Sequence, residues 1–201
     1  MSTVIGVLSL QGAVREHEHA LAQLGVETRK VRRPRDLDGL DGLVFPGGES
    51  TTMSKLLNVE GMRDPVQQAL DGGLPAFGTC AGMILLADVV RDTREDAVNF
   101  HALDVTVRRN AFGRQVDSFE TDLDVAGIED AVHAVFIRAP WVEQTGPNVE
   151  VLSRVPEGHG EHTGAIVAVR SGSVMATSFH PEAMPGEKRL HELFLRECVG
   201  I

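Results

Sequence analysis

Phe77-Gly78-Thr79-Cys80-Ala81-Gly82 links an apolar run, Leu74 to Phe77, to a second one, Ala81 to Val90. The first run is short enough for a buried strand and the second long enough for a helix. A strand that turns sharply into a helix is the repeating step of a parallel α/β sheet. Gly-x-Cys-x-Gly at such a turn is the thiol form of a nucleophile elbow. Gly78 and Gly82 leave room for a side chain carried on a strained corner. The following helix points its N-terminus at the sulfur, which favours thiolate.

The same rhythm extends outward from this turn. Upstream, Val4 to Leu8 reads as a strand buried on both faces. Val14 to Leu24 follows as a helix, with Val14, Leu21 and Leu24 near one face and Gly25 as its stop. Glu27 to Val31 and Gly42 to Phe45 are further strands. Ser50 to Leu57 and Met62 to Leu70 are helices. Downstream the chain is richer in strands: Leu103 to Arg108, Val116 to Val125, Ala131 to Ile137, Val149 to Val155, Gly164 to Arg170 and Val174 to Phe179. Arg170-Ser171-Gly172-Ser173 is a hairpin turn, and Glu187 to Val199 a closing helix facing inward through Leu190, Leu193, Phe194 and Cys198. The expectation is one three-layer α/β domain over residues 1–201, flavodoxin-like, with a mostly parallel central sheet and antiparallel additions.

Composition excludes several roles. The 201 residues carry 19 Lys+Arg against 29 Asp+Glu, a formal charge of −10. Such a surface repels phosphate backbones, so nucleic acid is not an expected partner. Aromatic residues make up 4% and Tyr is absent, too few for base-stacking platforms. No apolar stretch approaches the ~20 residues of a membrane span, and the start lacks the basic region of a signal peptide. Two cysteines, Cys80 and Cys198, suit a reducing compartment, and the cytoplasm is the expected location.

A thiol nucleophile needs a base and a group that orients it. Ser178-Phe179-His180-Pro181-Glu182 leaves a strand, so that His180 can take the proton from Cys80 and Glu182 can fix the imidazole tautomer. Pro46-Gly47-Gly48-Glu49-Ser50-Thr51 ends another strand, and its glycines expose backbone N–H groups suited to an oxyanion. No Gly-Lys-Ser/Thr follows, which argues against a phosphate loop.

These three turns resemble those of the class I (triad) glutamine amidotransferases. The likeness is closer to the members that serve as glutaminase subunits of pyridoxal 5′-phosphate synthases. It extends through Gly6 to His17, Pro46 to Met53, Phe77 to Gly82, Arg109-Asn110-Ala111-Phe112-Gly113-Arg114-Gln115, Val135 to Pro140 and Ser178 to Glu182. The Arg109–Gln115 and Phe136–Pro140 stretches are more specific than the triad, and argue against glutaminases of histidine or purine synthesis. Ser9 stands where the family commonly has Gly.

The resemblance implies that Cys80 attacks the amide of L-glutamine, His180 protonates the departing ammonia, and Glu182 orients His180. It implies backbone N–H groups of Gly48 and Ala81 as oxyanion donors. Gly48, Glu49, Ser50, Arg109, Ile137 and Arg138 would line the glutamine site, arginines suiting the α-carboxylate and a glutamate the α-ammonium. Ammonia would pass to a barrel-fold synthase subunit in a large heteromeric complex built on a dodecameric core. Pyridoxal phosphate would be a product there, and no cofactor is implied. A non-catalytic redox sensor using Cys80 is the rival reading, against which His180 and Glu182 argue.

Two features stand apart. The loop Pro156 to Gly164 holds His159, His162, Glu157 and Glu161, but its glycine-rich spacing fixes no ligand geometry, so no metal site is expected. His17 and His19 point to different faces of their helix and form no metal pair. The basic run Arg29, Lys30, Arg32, Arg33 and Arg35 reads as a solvated strand end.

Overall fold

The computed structural model describes residues 2–109 and 119–201. The first half alternates strand and helix as the apolar periodicity predicts. β1 (Val4–Leu8), α1 (Val14–Gln23), β2 (Glu27–Val31), β3 (Gly42–Phe45), α2 (Ser50–Val59), α3 (Arg63–Asp71), β4 (Ala76–Thr79) and α4 (Ala81–Leu86) follow in order. The second half supplies β5 (Ala87–Arg91), β6 (Leu103–Arg108), β7 (Phe119–Leu123), β8 (Val132–Phe136), β9 (Trp141–Thr145), β10 (Glu150–Arg154), β11 (Ile166–Ser171), β12 (Val174–Thr177) and α5 (Arg189–Phe194). A π-helical turn, Leu195–Val199, ends the closing helix.

The large sheet runs β2-β1-β3-β4-β12-β11-β9-β6-β5, with β10 paired to β11. β2, β1, β3, β4 and β12 are all mutually parallel. The antiparallel additions begin at β11, which joins β12 through a tight hairpin at Gly172. β7 and β8 form a separate antiparallel ribbon.

Alternate residues of the parallel strands feed two cores, one on each face of the sheet. Leu43, Phe45 and Ala76 pack with Met53, Leu57 and Val66 of α2 and α3 and with α4. Ile5, Val7, Val44 and Phe77 pack on the other side with Leu21 of α1, Leu190 and Phe194 of α5, and Phe136 of the ribbon. The sheet with its two covers forms the three layers expected.

Two strands depart from the sequence reading. The apolar run from Ala81 to Val90 is not one helix. It leaves the helix after Leu86 and pairs as β5 in parallel with β6. β9 was not expected at all. It lies between β6 and β11, antiparallel to both.

Candidate functional site

Three adjacent strands, β3, β4 and β12, end at one level. Phe45 pairs with Gly78, and Thr79 pairs with Thr177. The turns that follow therefore emerge side by side at the carboxyl edge of the parallel strands, where ligands of open α/β sheets bind. Those turns carry Gly47-Gly48, Cys80 and His180.

Cys80 occupies the left-handed region, with φ +49°. A side chain rarely adopts this conformation, and its cost is carried by the surrounding packing. The Cys80 N–H donates to the Thr177 carbonyl at 2.8 Å, tying the corner to β12. The flanking glycines are required by close approach. A Cβ on Gly78 would lie 2.6 Å from the Gly82 carbonyl carbon, and one on Gly82 would collide with the Phe45 carbonyl oxygen.

His180 and Glu182 lie at the turn after β12. His180 Nδ1 is 2.8 Å from Glu182 Oε1. The Glu182 side chain has no exposed surface, while His180 keeps 24% of its own. Burial alone would lower the His180 pKa, but hydrogen bonds and charge from Cys80 and Glu182 outweigh it and push it up to about 10. Burial would likewise raise the Glu182 carboxyl. Interactions with His17 and His180 reverse that and hold it well below the usual carboxylate range.

Sequence reasoning missed the groups behind Glu182. Thr79 Oγ1 donates to Glu182 Oε1 at 3.3 Å. His17 Nε2 lies 3.5 Å from the same oxygen, and His17 Nδ1 lies 2.8 Å from Nε2 of His191. Both histidines are fully buried. A signal was present: His17 falls on the stripe of α1 marked by Val14, Leu21 and Leu24, where a polar residue needs a partner.

The Gly47-Gly48 turn is propped by the turn after β1. Ala13 N–H donates to the Gly47 carbonyl at 3.0 Å, and Glu49 N–H donates to Gln11 Oε1 at 2.8 Å. A Cβ on Gly47 would strike the His180 ring, and one on Gly48 would strike Gln11. Glu49 is the N-cap of α2, its carboxylate accepting from the N–H groups of Thr51 and Thr52. Partial burial opposes these bonds, yet they keep the Glu49 carboxyl below its ordinary value. Arg109 Nη2 reaches Thr51 Oγ1 at 3.3 Å and Glu49 Oε1 at 3.7 Å. Arg138 adopts φ +49° beside Ile137, which is 47% exposed.

An open cleft of about 500 Å³ gathers these groups. Gly48, Glu49, Ser50, Cys80, Ala81, Arg109, Ile137, Arg138 and His180 all line it, together with Ile84. That volume suits a small polar metabolite. Glu182 lies behind His180, outside the lining. Asn110 to Gln115, the remainder of the Arg109 stretch, lie outside the described residues, as do Val116 to Ser118 of the strand expected there.

The other candidate features lie outside the lining of this cleft. Among the described residues, no group of three His, Cys, Asp or Glu side chains could hold a metal. In the loop after β10, His159 and His162 lie against Phe119, with ring centroids 5.0 and 5.5 Å away. The basic run is tied locally: Arg29 donates to the Asp38 carbonyl, Arg32 to the Ser9 carbonyl, and Lys30 pairs with Glu18. Cys198 packs against the core, and burial pushes its thiol up to about 11. Among the described residues, no helix is long and apolar enough to cross a membrane.

Comparison with known proteins gives one consistent result. A family model described as the SNO glutamine amidotransferase family matches residues 7–200. The pyridoxal 5′-phosphate synthase subunit PdxT of Rhodococcus opacus (strain B4) is 60% identical over 199 residues, 98% of this chain and 98% of the relative. The protein of the same name from Mycobacteroides abscessus is 59% identical over 195 residues, 97% of each chain. A crystal structure of a glutamine amidotransferase superposes with a TM-score of 0.86 at 47% identity, covering 98% of this chain and 99% of that one.

Proposed function

Since the chain belongs to the SNO glutamine amidotransferase family, we propose that its cleft hydrolyses L-glutamine through Cys80, His180 and Glu182. In this reading it acts as the glutaminase subunit of a pyridoxal 5′-phosphate synthase, which is supported by relatives named pyridoxal 5′-phosphate synthase subunit PdxT that match it over nearly their whole length. The observation that carries the site assignment is the register of β4 with β12. It sets Cys80 beside His180, whose Nδ1 is held by buried Glu182.

The chemistry follows from the protonation states. With its pKa near 10, His180 is an imidazolium at neutral pH, paired with Cys80 and Glu182. Cys80, its proton already carried by His180, attacks the side-chain carbonyl carbon of glutamine through Sγ as a thiolate, and the carbonyl oxygen becomes an oxyanion. Backbone N–H groups of Gly48 and Ala81 receive that charge. His180 gives its proton to the nitrogen as the C–N bond breaks and ammonia leaves. The remaining γ-glutamyl thioester is attacked by water, with the now neutral His180 accepting the water proton. The S–C bond breaks, and glutamate leaves. Glu182 keeps the Nδ1 hydrogen in place throughout, so that Nε2 faces the reacting atoms.

Arg109 and Arg138 hold the α-carboxylate, and Glu49 and Ser50 the polar end of the substrate, alongside Ile137. Support comes from their convergence on one cleft with Cys80. Ammonia passes to the synthase subunit, a barrel in a dodecameric core, which docks at the Gly47-Gly48 and Leu10-Gln11-Gly12 turns. The whole chain acts as one glutaminase domain in the cytoplasm, a compartment that suits its two free cysteines.

Glutamate formation from glutamine, measured with and without the companion synthase subunit, tests this reading. Slow hydrolysis alone, faster hydrolysis in the complex and none by Cys80→Ala are expected. Full activity of Cys80→Ala would remove the mechanism.

A further inference from the structure

His17 is buried, ionisable and unused by the three-residue mechanism. Both of its ring nitrogens are engaged. Nδ1 faces His191 Nε2 at 2.8 Å, while Nε2 faces Thr79 Oγ1 at 3.2 Å and Glu182 Oε1 at 3.5 Å. Glu182 Oε1 is thus met by three groups: His180, Thr79 and His17. The second carboxylate oxygen, Oε2, is buried and has no hydrogen-bond partner among the described residues. Among the described residues, the orientation of the Glu182 carboxylate is therefore set at Oε1.

Hydrogen-bond direction along this line is constrained. A hydroxyl has one hydrogen. Thr79 gives it to Glu182, so Thr79 Oγ1 must accept from His17 Nε2. A lone pair on Nε2 would instead face a hydroxyl committed elsewhere and a carboxylate oxygen, an arrangement of acceptors with nothing between them. Nε2 accordingly carries hydrogen. With that tautomer, His17 Nδ1 accepts from His191 Nε2–H. His191 Nδ1 is left as a bare acceptor, in agreement with its lack of a partner among the described residues. Burial pushes the His191 pKa down to about 3, which keeps this imidazole neutral.

We propose that His17, aligned by His191, is a positioning residue that fixes the Glu182 carboxylate and through it the His180 ring. The proposal rests on the glutaminase reading above. His17 does not line the cleft that holds Cys80. It acts by donating from Nε2 into the Thr79–Glu182 pair, so that Oε1 stays in line with His180 Nδ1. Loss of that alignment displaces His180 while leaving the other residues that line the cleft in place.

The test compares three variants of the full chain in complex with its synthase subunit. Rates are expressed per folded complex, counted by circular dichroism. His17→Phe keeps the ring shape and removes the donor. It should lower kcat about 10- to 100-fold, the scale of a small misplacement of a catalytic group. KM should stay within about twofold, because substrate contacts are untouched. His17→Gln places an amide N–H near the position of Nε2 and should recover most of kcat. Should His17→Phe fail to fold, His17→Met against His17→Gln makes the same comparison with two unbranched chains. Cys80→Ala serves as reference. If Cys80→Ala is inactive while His17→Phe keeps its kcat, or if His17→Gln is as slow as the variant lacking a donor, the positioning role is overturned and the glutaminase reading stands. If Cys80→Ala is active, the glutaminase reading fails first.

Discussion

Gly47→Ala adds a single methyl group at a position whose φ lies outside the left-handed region, so the backbone itself accepts alanine. The new Cβ would project into the His180 imidazole. It would strike Cε1 and lie 2.5 Å from Nδ1, against the 3.4 Å at which ordinary contact begins. The turn cannot easily yield, since the Gly47 carbonyl is held by Ala13 N–H and the next residues are held by Gln11. The ring must then move by about 0.9 Å to relieve the Nδ1 contact alone, and further for Cε1. A shift of that size breaks the line between Nδ1 and Glu182 Oε1, now 2.8 Å long. Misplacement by ~1 Å costs on the order of 100-fold in rate, equivalent to about 2.7 kcal/mol of transition-state stabilisation. Overpacking should cost about 1–3 kcal/mol of stability, leaving most molecules folded at 25 °C. Glutamate release at saturating glutamine, with circular dichroism to count folded protein, reads both effects. A Gly47→Ala variant within threefold of the parent rate would refute the claim that this glycine exists to admit the His180 ring.

Two further outcomes follow from the same site. The His180 imidazole should titrate near pH 10 by NMR. Its native value lies above the ordinary 6.5, so its contribution to stability is complete below pH 6.5 and fades as pH rises towards 10. Glu182→Gln should move that midpoint down and flatten the alkaline loss, and an unchanged midpoint would contradict the pairing. Glu49→Ala removes the cap that receives Thr51 and Thr52 N–H groups. It should lower stability by about 1 kcal/mol in urea denaturation, and a neutral result would deny the capping role.

How much of this was legible in the sequence depends on what each residue signals locally. The parallel half was readable because β1, β3 and β4 are short runs followed within a few residues by glycine (Gly12, Pro46-Gly47-Gly48 and Gly82), and both faces are buried. The elbow at Cys80 was readable because only a strained corner needs Gly78 and Gly82 on either side. β5 was not, because Ala87-Asp88-Val89-Val90 continues the apolar run of α4 without a breaker. Its Val89 is 46% exposed, so the burial pattern carries little information either way. β9 was missed because Trp141-Val142-Glu143-Gln144-Thr145 is mostly polar, and only Val142 of it is buried. The buried pair His17 and His191 is invisible at the level of motif, since the two residues are 174 positions apart and meet only through tertiary packing.

The antiparallel part of the sheet matters to the site even though it carries none of the triad. β12 emerges beside Cys80 only because it runs parallel to β4, and it does so because β11 enters the sheet in the opposite direction and reverses at Gly172. Were β12 to run the other way, His180 would leave from the far edge of the sheet. A four-residue strand spans about 13 Å, beyond the reach of any imidazole to Sγ. Register is equally restrictive. Slipping β12 by one residue against β4 would shift His180 by about 3.3 Å and turn every side chain of the strand to the opposite face. Met175, buried beside Phe77 in one core, would exchange places with Ala176, which packs in the other. The apolar pattern of Val174 to Thr177 therefore sets the distance between Cys80 and His180, so the packing of the core and the geometry of catalysis are selected by the same four residues.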